Sequence, residues 1–211
     1  MPRRYDAVLF DLLTALLDSW SLWNDVASGE EAGLRWRREY LRRTYGTTAY
    51  RPYEVLVAEA AREVGLDLRL ADTLAARYGE LKPWPGVAEE LGTLAASGVK
   101  LGVATNCSEP LGRIAAECIG SRFDVVVTAE RAGFYKPDPH PYRMALAELA
   151  VTPERCLFVA GSAYDLVGAS RVGLDTWWHD RIGMTRPPEA PDPLRHTGDL
   201  AGLADFVANS P

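Results

Sequence analysis

The fold follows from one stretch near the start of the chain, Tyr5-Asp6-Ala7-Val8-Leu9-Phe10-Asp11-Leu12-Leu13-Thr14-Ala15-Leu16-Leu17-Asp18, in which a short apolar run ends in a carboxylate at Asp11. Such a run is typical of a buried parallel strand. In an open α/β sheet, the functional site lies just past the carboxyl ends of the strands. Asp11 is therefore a candidate nucleophile or metal ligand, and the alternative is that it caps the helix that follows.

Size and composition indicate an ordinary globular protein. A chain of 211 residues suits one α/β core plus an insertion, or two small domains. The sequence is 47% hydrophobic and 25% charged, as globular proteins usually are. Its net charge of -6 argues against nucleic acid or an anionic membrane as a partner.

The sequence also predicts a cytoplasmic protein. No apolar run reaches the roughly 18 residues that a membrane span needs. The first four residues lead straight into the predicted strand, so we expect no signal peptide. The cysteines are few, odd in number and without metal-binding spacing, so we interpret Cys107, Cys118 and Cys156 as reduced thiols.

The order of predicted elements indicates a parallel sheet interrupted once by helices. Residues 19–81 show helical spacing and few strand signals, and Pro83-Trp84-Pro85-Gly86 ends that pattern. From Gly86 onward helices and strands alternate, which implies right-handed crossovers in a parallel sheet. We expect later strands at 99–105, 123–128, 156–160 and 175–179, with helices at 87–97, 109–119, 139–150, 163–172 and 200–208.

Polar residues follow four of the predicted strands. Asp11 follows the first, Thr105-Asn106 the second, Tyr135-Lys136-Pro137-Asp138 the third and Gly161-Ser162-Ala163-Tyr164-Asp165 the fourth. Because parallel strands end at one edge of a sheet, these side chains are expected to converge. Taken singly, a Thr-Asn pair is also typical of a helix cap and a Lys-Pro-Asp of a solvated turn.

This order of motifs resembles the haloacid dehalogenase superfamily. The resemblance covers nearly the whole chain and implies a Rossmann-like parallel sheet with a helical cap inserted after the first strand. The core domain would then comprise residues 1–18 and 82–211, and the cap domain residues 19–81.

Within that superfamily, phosphatases place a second Asp two residues after the nucleophile, and here that position is Leu13, which cannot transfer a proton. Phosphatases also bind Mg²⁺ through acids of the fourth loop, where this chain has Gly161-Ser162. We therefore expect no metal and no other cofactor.

The L-2-haloacid dehalogenase branch lacks the same groups, and the chain is similar to it. Its Trp-Arg pair in the cap is matched by Trp36-Arg37, and its Tyr six residues past the Lys by Tyr142. Its Ala-Trp-Asp is close to Ala163-Tyr164-Asp165. The chain departs from this pattern where the family has Gly-Thr, here Thr14-Ala15, and at Gly161-Ser162.

The resemblance implies a role for each matched residue. Asp11 would attack a carbon that carries a good leaving group, forming an ester. Lys136 would neutralise Asp11 and Asp165, and Asp165 would help to place the water that opens the ester. The substrate, expected to be a small anion, would contact six residues: Arg37, Thr105, Asn106, Tyr142, Leu13 and Trp36.

Other interpretations of these residues stay open from the sequence. Arg37 lies among other arginines that would form a solvated helix face, and Tyr142 and Trp36 would serve equally as packing residues. Cys107 lies where a helix N-terminus would lower a thiol pKa, or it is a packed small residue. Related dehalogenases are often dimers, so a homodimer is one alternative for the assembly.

Four functions remain in contention. The first is a metal-independent hydrolase of the dehalogenase type. The second is a displacement enzyme of a biosynthetic pathway that expels a group other than halide, with or without hydrolysis. The third is a Mg²⁺-dependent phosphatase, and the fourth is a non-catalytic protein that keeps the fold. The departures at Ala15, Gly161 and Ser162 bear on hydrolysis of the ester more than on its formation.

Overall fold

A computed structural model describes residues 3–47 and 49–210 of the chain. Its sheet has six strands in the order β3-β2-β1-β4-β5-β6, and every neighbouring pair is parallel. The predicted α/β fold with a parallel sheet is thus confirmed. The strands are β1 (Ala7–Phe10), β2 (Lys100–Thr105), β3 (Val125–Thr128), β4 (Cys156–Ala160), β5 (Asp175–His179) and β6 (Arg195–Thr197).

The first strand occupies the middle of the sheet. All four residues of β1 are buried, because strands flank it on both sides and helices cover both faces of the sheet. Phe10 pairs with Val103 of β2 and Val159 of β4. The next residue, Asp11, still donates its backbone N–H to Val159 O at 3.0 Å. The strand therefore fixes the backbone of Asp11 at the carboxyl edge of the sheet.

Ten α-helices surround this sheet in the described part of the chain. The first four follow β1, and the other six follow the insertion. Their bounds are α1 (Ser19–Val26), α2 (Glu30–Tyr45), α3 (Tyr53–Glu63), α4 (Leu70–Ala76), α5 (Val87–Ala96), α6 (Glu109–Glu117), α7 (Ala129–Ala132), α8 (Pro139–Leu149), α9 (Ala163–Ser170) and α10 (Leu203–Asn209).

Helices α1 to α4, here called the cap helices, lie between β1 and β2 in the chain. The two segments that join them to the sheet run side by side: Asp18 N donates to Lys82 O at 2.8 Å, and Trp84 N donates to Leu16 O at 2.9 Å. A division into core and cap at these segments stays our prediction. Residues 1, 2 and 211 of the predicted core and residue 48 of the predicted cap lie outside the described residues.

Aromatic side chains hold the cap helices together. The rings of Trp23 and Trp36 lie 4.6 Å apart, and Trp23 also contacts Tyr40 at 5.4 Å. Trp36 is fully buried and donates from Nε1 to Val57 O at 2.8 Å. These contacts explain how short helices with many charged residues on one face pack stably.

Two elements had no signal in the sequence. Strand β6 is polar, exposed at its first two residues and only three residues long, so it lacks the apolar pattern of the inner strands. Helix α7 is a single turn that ends at Gly133, whose φ of 73° suits glycine. In residues 3–47 and 49–210, no helix combines the length and the apolar character that crossing a membrane requires.

Candidate active site

Three charged side chains meet at the carboxyl edge of the sheet. Lys136 Nζ lies 2.8 Å from Asp11 Oδ1 and 3.1 Å from Asp165 Oδ2. Lys136, Asp11 and Asp165 are only 1%, 6% and 2% exposed. A single ammonium group therefore bridges two buried carboxylates, and such charges are tolerated away from water only when they are paired in this way.

Different parts of the chain deliver these three groups. Asp11 follows β1, and Asp165 lies in the first turn of α9 after β4. Lys136 lies on the loop between α7 and α8, where Asn106 holds its backbone. Asn106 Oδ1 accepts from Lys136 N at 2.7 Å, and Asn106 Nδ2 donates to Lys136 O at 2.9 Å. The side chain of Asn106, predicted to contact substrate, thus positions Lys136 in this structure.

Asp11 and Asp165 differ in pKa. Burial raises the pKa of Asp11, but the charge of Lys136 and hydrogen bonds from Lys136 and Thr14 outweigh it, so the pKa is lowered from 3.8. Burial and the nearby charge of Asp11 raise the pKa of Asp165 from 3.8 to about 6, against the opposing effect of Lys136. The pKa of Lys136 is raised despite burial, because both acids favour its charged form. Asp11 is accordingly the better candidate for an ionised nucleophile.

The loop after β1 fixes the orientation of the Asp11 carboxylate. Asp11 Oδ2 accepts from Thr14 N at 2.9 Å, from Thr14 Oγ1 at 2.5 Å and from Ala15 N at 3.1 Å. The dehalogenase pattern has its threonine at the position of Ala15. In this chain the hydroxyl of Thr14, one residue earlier, binds Asp11 instead. Gly161 lies so close to this loop that a Cβ at position 161 would collide with Ala15 N and with Thr14.

Arg37 is buried rather than part of a solvated helix face. It is 3% exposed, and its guanidinium carbon lies over the rings of Trp20 and Trp23 at 4.0 and 5.5 Å. Its Nε and Nη1 are buried without a hydrogen-bond partner in the described residues, and so is Thr105 Oγ1. Burial lowers the pKa of Arg37, while Asp11 and nearby tyrosines oppose that effect. Buried donors without a partner, two of which belong to the Arg37 cation itself, indicate a binding site for an anion.

A small space, here called the reaction cavity, separates Arg37 from the carboxylates. Its volume is about 30 Å³, which has room for only a few water molecules. Helix α2 covers it with Arg37, Leu41 and Tyr45, which lie four residues apart on one helix face. The other lining residues are Asp11, Leu13, Thr14, Tyr40, Thr105, Asn106, Lys136, Ser162 and Asp165.

Sequence reasoning did not identify Tyr40, Leu41 and Tyr45 as site residues. Tyr40 OH donates to Asn106 O at 2.8 Å, and Tyr45 OH lies 2.7 Å from Ser162 Oγ. These bonds tie α2 to two loops of the sheet edge. The helical spacing of four residues from Arg37 to Leu41 and Tyr45 is the signal that could have found two of them.

Two predicted contact residues lie behind the reaction cavity. Tyr142 is fully buried, and its hydroxyl lies 3.3 Å from Asp165 Oδ1, so it supports the acid rather than lining the cavity. Trp36 packs among the cap helices and does not line the cavity either. Cys107 is buried, and burial raises the pKa of its thiol well above the ordinary value, so the thiol is not activated.

The donor set does not resemble a Mg²⁺ site. In the described ranges, 3–47 and 49–210, no three or more His, Cys, Asp or Glu side chains are placed to hold a metal ion. The ammonium of Lys136 lies between the two acids, where a divalent cation would otherwise bridge them. Lys136 thus supplies the positive charge that the carboxylates require.

Comparison with known proteins agrees with this geometry. A family model described as haloacid dehalogenase-like hydrolase matches residues 5–173. The (S)-2-haloacid dehalogenase 4A of Burkholderia cepacia is 31% identical over 97% of this chain and 95% of its own length. The (S)-2-haloacid dehalogenase H-109 of Pseudomonas putida is 28% identical over 96% of this chain and 97% of its own.

A solved structure gives the same result for the fold. The L-2-haloacid dehalogenase of Xanthobacter autotrophicus superposes with a TM-score of 0.86 at 24% identity, covering 97% of this chain and 99% of that one. The match extends through the cap helices as well as the sheet. It concerns the fold alone, since so low an identity does not transfer an activity.

Proposed function

The chain belongs to the haloacid dehalogenase-like hydrolase family, and on that premise we propose that it hydrolyses a small 2-haloacid through an ester on Asp11, without a metal ion. The observation that carries the proposal is the Lys136 bridge between Asp11 and Asp165 beneath a buried, unsatisfied Arg37. An ionised acid that acts as nucleophile, a second acid that can accept a proton from water and one anion site are the groups that such a reaction needs.

In the first step, a carboxylate oxygen of Asp11 attacks C2 of the substrate. The new C–O bond forms as the carbon–halogen bond breaks, and the halide leaves with the bonding electrons. Halide is a weak base, so the apolar Leu13 at the position of the phosphatase acid is no obstacle. Arg37 receives the halide, and Thr105 Oγ1, the other unsatisfied donor among the residues that line the reaction cavity, binds the substrate carboxylate.

In the second step, water opens the ester. Asp165 accepts a proton from the water as its oxygen attacks the carbonyl carbon of the Asp11 ester. The bond between Asp11 Cγ and the ester oxygen then breaks, the ester oxygen leaves as the hydroxyl of the 2-hydroxy acid with the proton that Asp165 accepted, and the Asp11 carboxylate is regenerated with one oxygen from water. Tyr142 and Lys136 hold Asp165 in place, and the Ser162 hydroxyl, paired with Tyr45, lies at the same edge of the cavity.

The phosphatase alternative lacks its acid and its metal ligands here. Leu13 cannot protonate a leaving alkoxide, and Lys136 lies between the carboxylates. A leaving group other than halide stays compatible with the same residues, provided that it is a weak base. The predicted homodimer and cytoplasmic location stay predictions.

The test is halide release from (S)-2-chloropropionate in the presence of EDTA. We expect release by the wild-type chain and a loss of about a thousandfold or more in Asp11→Asn, because an amide is a poor nucleophile. The matched control is Asp18→Asn: Asp18 lies in the same segment but caps α1 by accepting from Ser21 N at 3.0 Å. Its variant should keep its activity and nearly all of its stability, because asparagine caps a helix about as well as aspartate.

Two further measurements decide between the alternatives. In water enriched in ¹⁸O, repeated turnovers should place the label in the Asp11 carboxylate, which mass spectrometry of the peptide detects. Label only in the product hydroxyl would contradict an Asp11 ester. Mg²⁺-dependent phosphate release from a phosphate monoester, with no halide release, would establish the phosphatase instead.

A further inference from the structure

A second, larger space lies beside the reaction cavity, and we call it the outer chamber. Its volume is about 670 Å³, and its walls include Trp20, Leu34, Leu41, Tyr45, Tyr164 and Met184. Leu41 and Tyr45 line both spaces, so these two side chains form the wall between them. The volume falls within the range of roughly 300–1,000 Å³ that is usual for small-molecule sites.

The two volumes indicate where a substrate must extend. The reaction cavity, at about 30 Å³, has room for only a few water molecules, so a long substituent of a substrate would have to extend beyond it. In the proposed reaction, the halide and the carboxylate bind Arg37 and Thr105, the two residues lining the reaction cavity that have unsatisfied donors. Leu41 and Tyr45 of α2 line both spaces, so a C2 substituent that extends past these two residues would enter the outer chamber.

The dividing wall is held by contacts that one side-chain rotation would release. Tyr45 OH lies 2.7 Å from Ser162 Oγ, and its ring lies 4.4 Å from that of Tyr164. Tyr45 is half-buried, and Tyr164 is 39% exposed. Because Tyr45 lines both spaces, we expect its rotation away from Ser162 to open a path between them.

The residues that line the outer chamber indicate which kind of C2 substituent it would bind. Aromatic and aliphatic side chains line most of it, Arg38, Arg42 and Thr185 line the rest together with two glycines, and Ile182, which is 43% exposed, lies at its rim. We propose that the outer chamber binds the apolar tail of the substrate, so that 2-haloacids with a medium-length alkyl chain are preferred over 2-halopropionates. This inference deepens the proposed function and rests on it for the reaction, but tail binding can be measured without any reaction.

The first experiment uses acids that carry no leaving group. Calorimetric titration of the wild-type chain should show that octanoate binds about tenfold or more tightly than propionate, since each buried CH₂ is worth about fourfold in affinity. In parallel, kcat/KM for halide release should be higher for 2-bromooctanoate than for 2-bromopropionate by a similar factor. Equal affinity for the two acids would overturn the inference.

Variants of Ile182 test whether the substrate tail binds in the outer chamber. Ile182→Trp fills the space, and Ile182→Asp keeps the space but places a charge on its wall. Both should abolish the advantage of octanoate and leave halide release from 2-bromopropionate unchanged, which also shows that the variants are folded. The matched control is Ile114→Trp, because Ile114 is 39% exposed on α6 and does not line either space.

The outcomes separate this inference from the proposed function. Tight octanoate binding that Ile182→Trp removes, without halide release from any acid, would refute the dehalogenase activity and leave the chamber as a site for apolar acids. Halide release with no preference for octanoate would do the opposite. A preference that persists in both Ile182 variants would also overturn the inference.

Discussion

The guanidinium carbon of Arg37 lies 4.0 Å from the centre of the Trp20 ring, while two of its nitrogens, Nε and Nη1, are buried with no hydrogen-bond partner in the part of the chain that the structure describes. Stacking on an aromatic ring stabilises a cation but satisfies none of its N–H donors. The protein therefore keeps a desolvated cation whose donors are available to an anion.

Replacing Arg37 should lower activity without lowering stability. Arg37→Met should lower kcat/KM by about a hundredfold or more, because an anion contact is lost in the transition state. Its free energy of unfolding should be unchanged or higher by about 1 kcal/mol, since a buried, unpaired cation is replaced by an apolar chain. Halide assays and urea unfolding measure the two effects.

The control for Arg37 is Arg35→Met, an exposed arginine on the same helix. It should change neither quantity. A loss of several kcal/mol in Arg37→Met would instead identify Arg37 as a structural residue.

Bromide should bind to the resting protein at Arg37. A ligand that binds only the folded state raises the melting temperature by mass action. We expect sodium bromide to raise Tm more than sodium fluoride at equal ionic strength, and we expect Arg37→Met to remove the difference. A difference that survives in the variant would place the anion elsewhere.

Removing Lys136 should destabilise the protein in a pH-dependent way. Lys136→Met leaves Asp11 and Asp165 buried without a cation, which costs about 3–5 kcal/mol when both are ionised. The loss should be larger at pH 8 than at pH 5, because without Lys136 the folded-state pKa values rise and protons bind at low pH to relieve the repulsion. Urea unfolding of wild-type and variant chains at both pH values measures this.

The control for this measurement is Lys82→Met, since Lys82 is exposed. It should show a small loss that is the same at both pH values. A pH-independent loss in Lys136→Met would mean that the two acids are not coupled through this lysine.

The two chemical steps should respond differently to pH. Asp165, with a pKa raised to about 6, carries a proton below pH 6 and accepts one above it. Asp11, with its pKa lowered, stays ionised through this range. The single-turnover burst of halide should therefore persist at pH 5, whereas steady-state turnover should fall as the pH drops below about 6. Rapid-quench and steady-state assays distinguish the two, and a burst that disappears along with turnover would contradict the assignment of Asp165.

Thr14 should act as a positioning residue for Asp11. Thr14→Val removes the Oγ1 donor at 2.5 Å but keeps the backbone donor at 2.9 Å. We expect kcat to fall about tenfold with little change in KM, because the carboxylate loses one of its orienting bonds. Thr14→Ser restores the hydroxyl and should restore kcat. If Thr14→Ser were as impaired as Thr14→Val, the hydroxyl bond alone would not explain the role of Thr14, because serine keeps the hydroxyl and lacks only the methyl group.

The meeting of charged side chains at one edge of the sheet was predictable because parallel strands end together. Each of the three residues Asp11, Lys136 and Asp165 lies in a short polar motif that follows a predicted buried strand. They can therefore be predicted without knowing how distant parts of the chain pack. The roles of Asn106 and Tyr142 were less accessible. Whether such a side chain touches the substrate or supports a neighbour depends on distances that a sequence does not contain.

The contribution of the cap helices was harder to predict for a physical reason. Successive helical residues point about 100° apart, so Trp36 and Arg37 face different surroundings although they are neighbours in the sequence. Trp36 packs against Trp23 and Val57, while Arg37 faces the reaction cavity together with Leu41 and Tyr45. Which face of α2 turns toward the sheet is set by packing among the cap helices.

Arg37, Leu41 and Tyr45 all project from one face of α2, so under the two proposals above this one helix of sixteen residues would determine both the affinity for anions and the length of substrate tail that fits. A change in its tilt would alter the two together, whereas exchanging single residues on that face would tune them one at a time. Laboratory evolution of new substrate ranges can therefore concentrate its libraries on this one segment and leave the catalytic strand ends untouched.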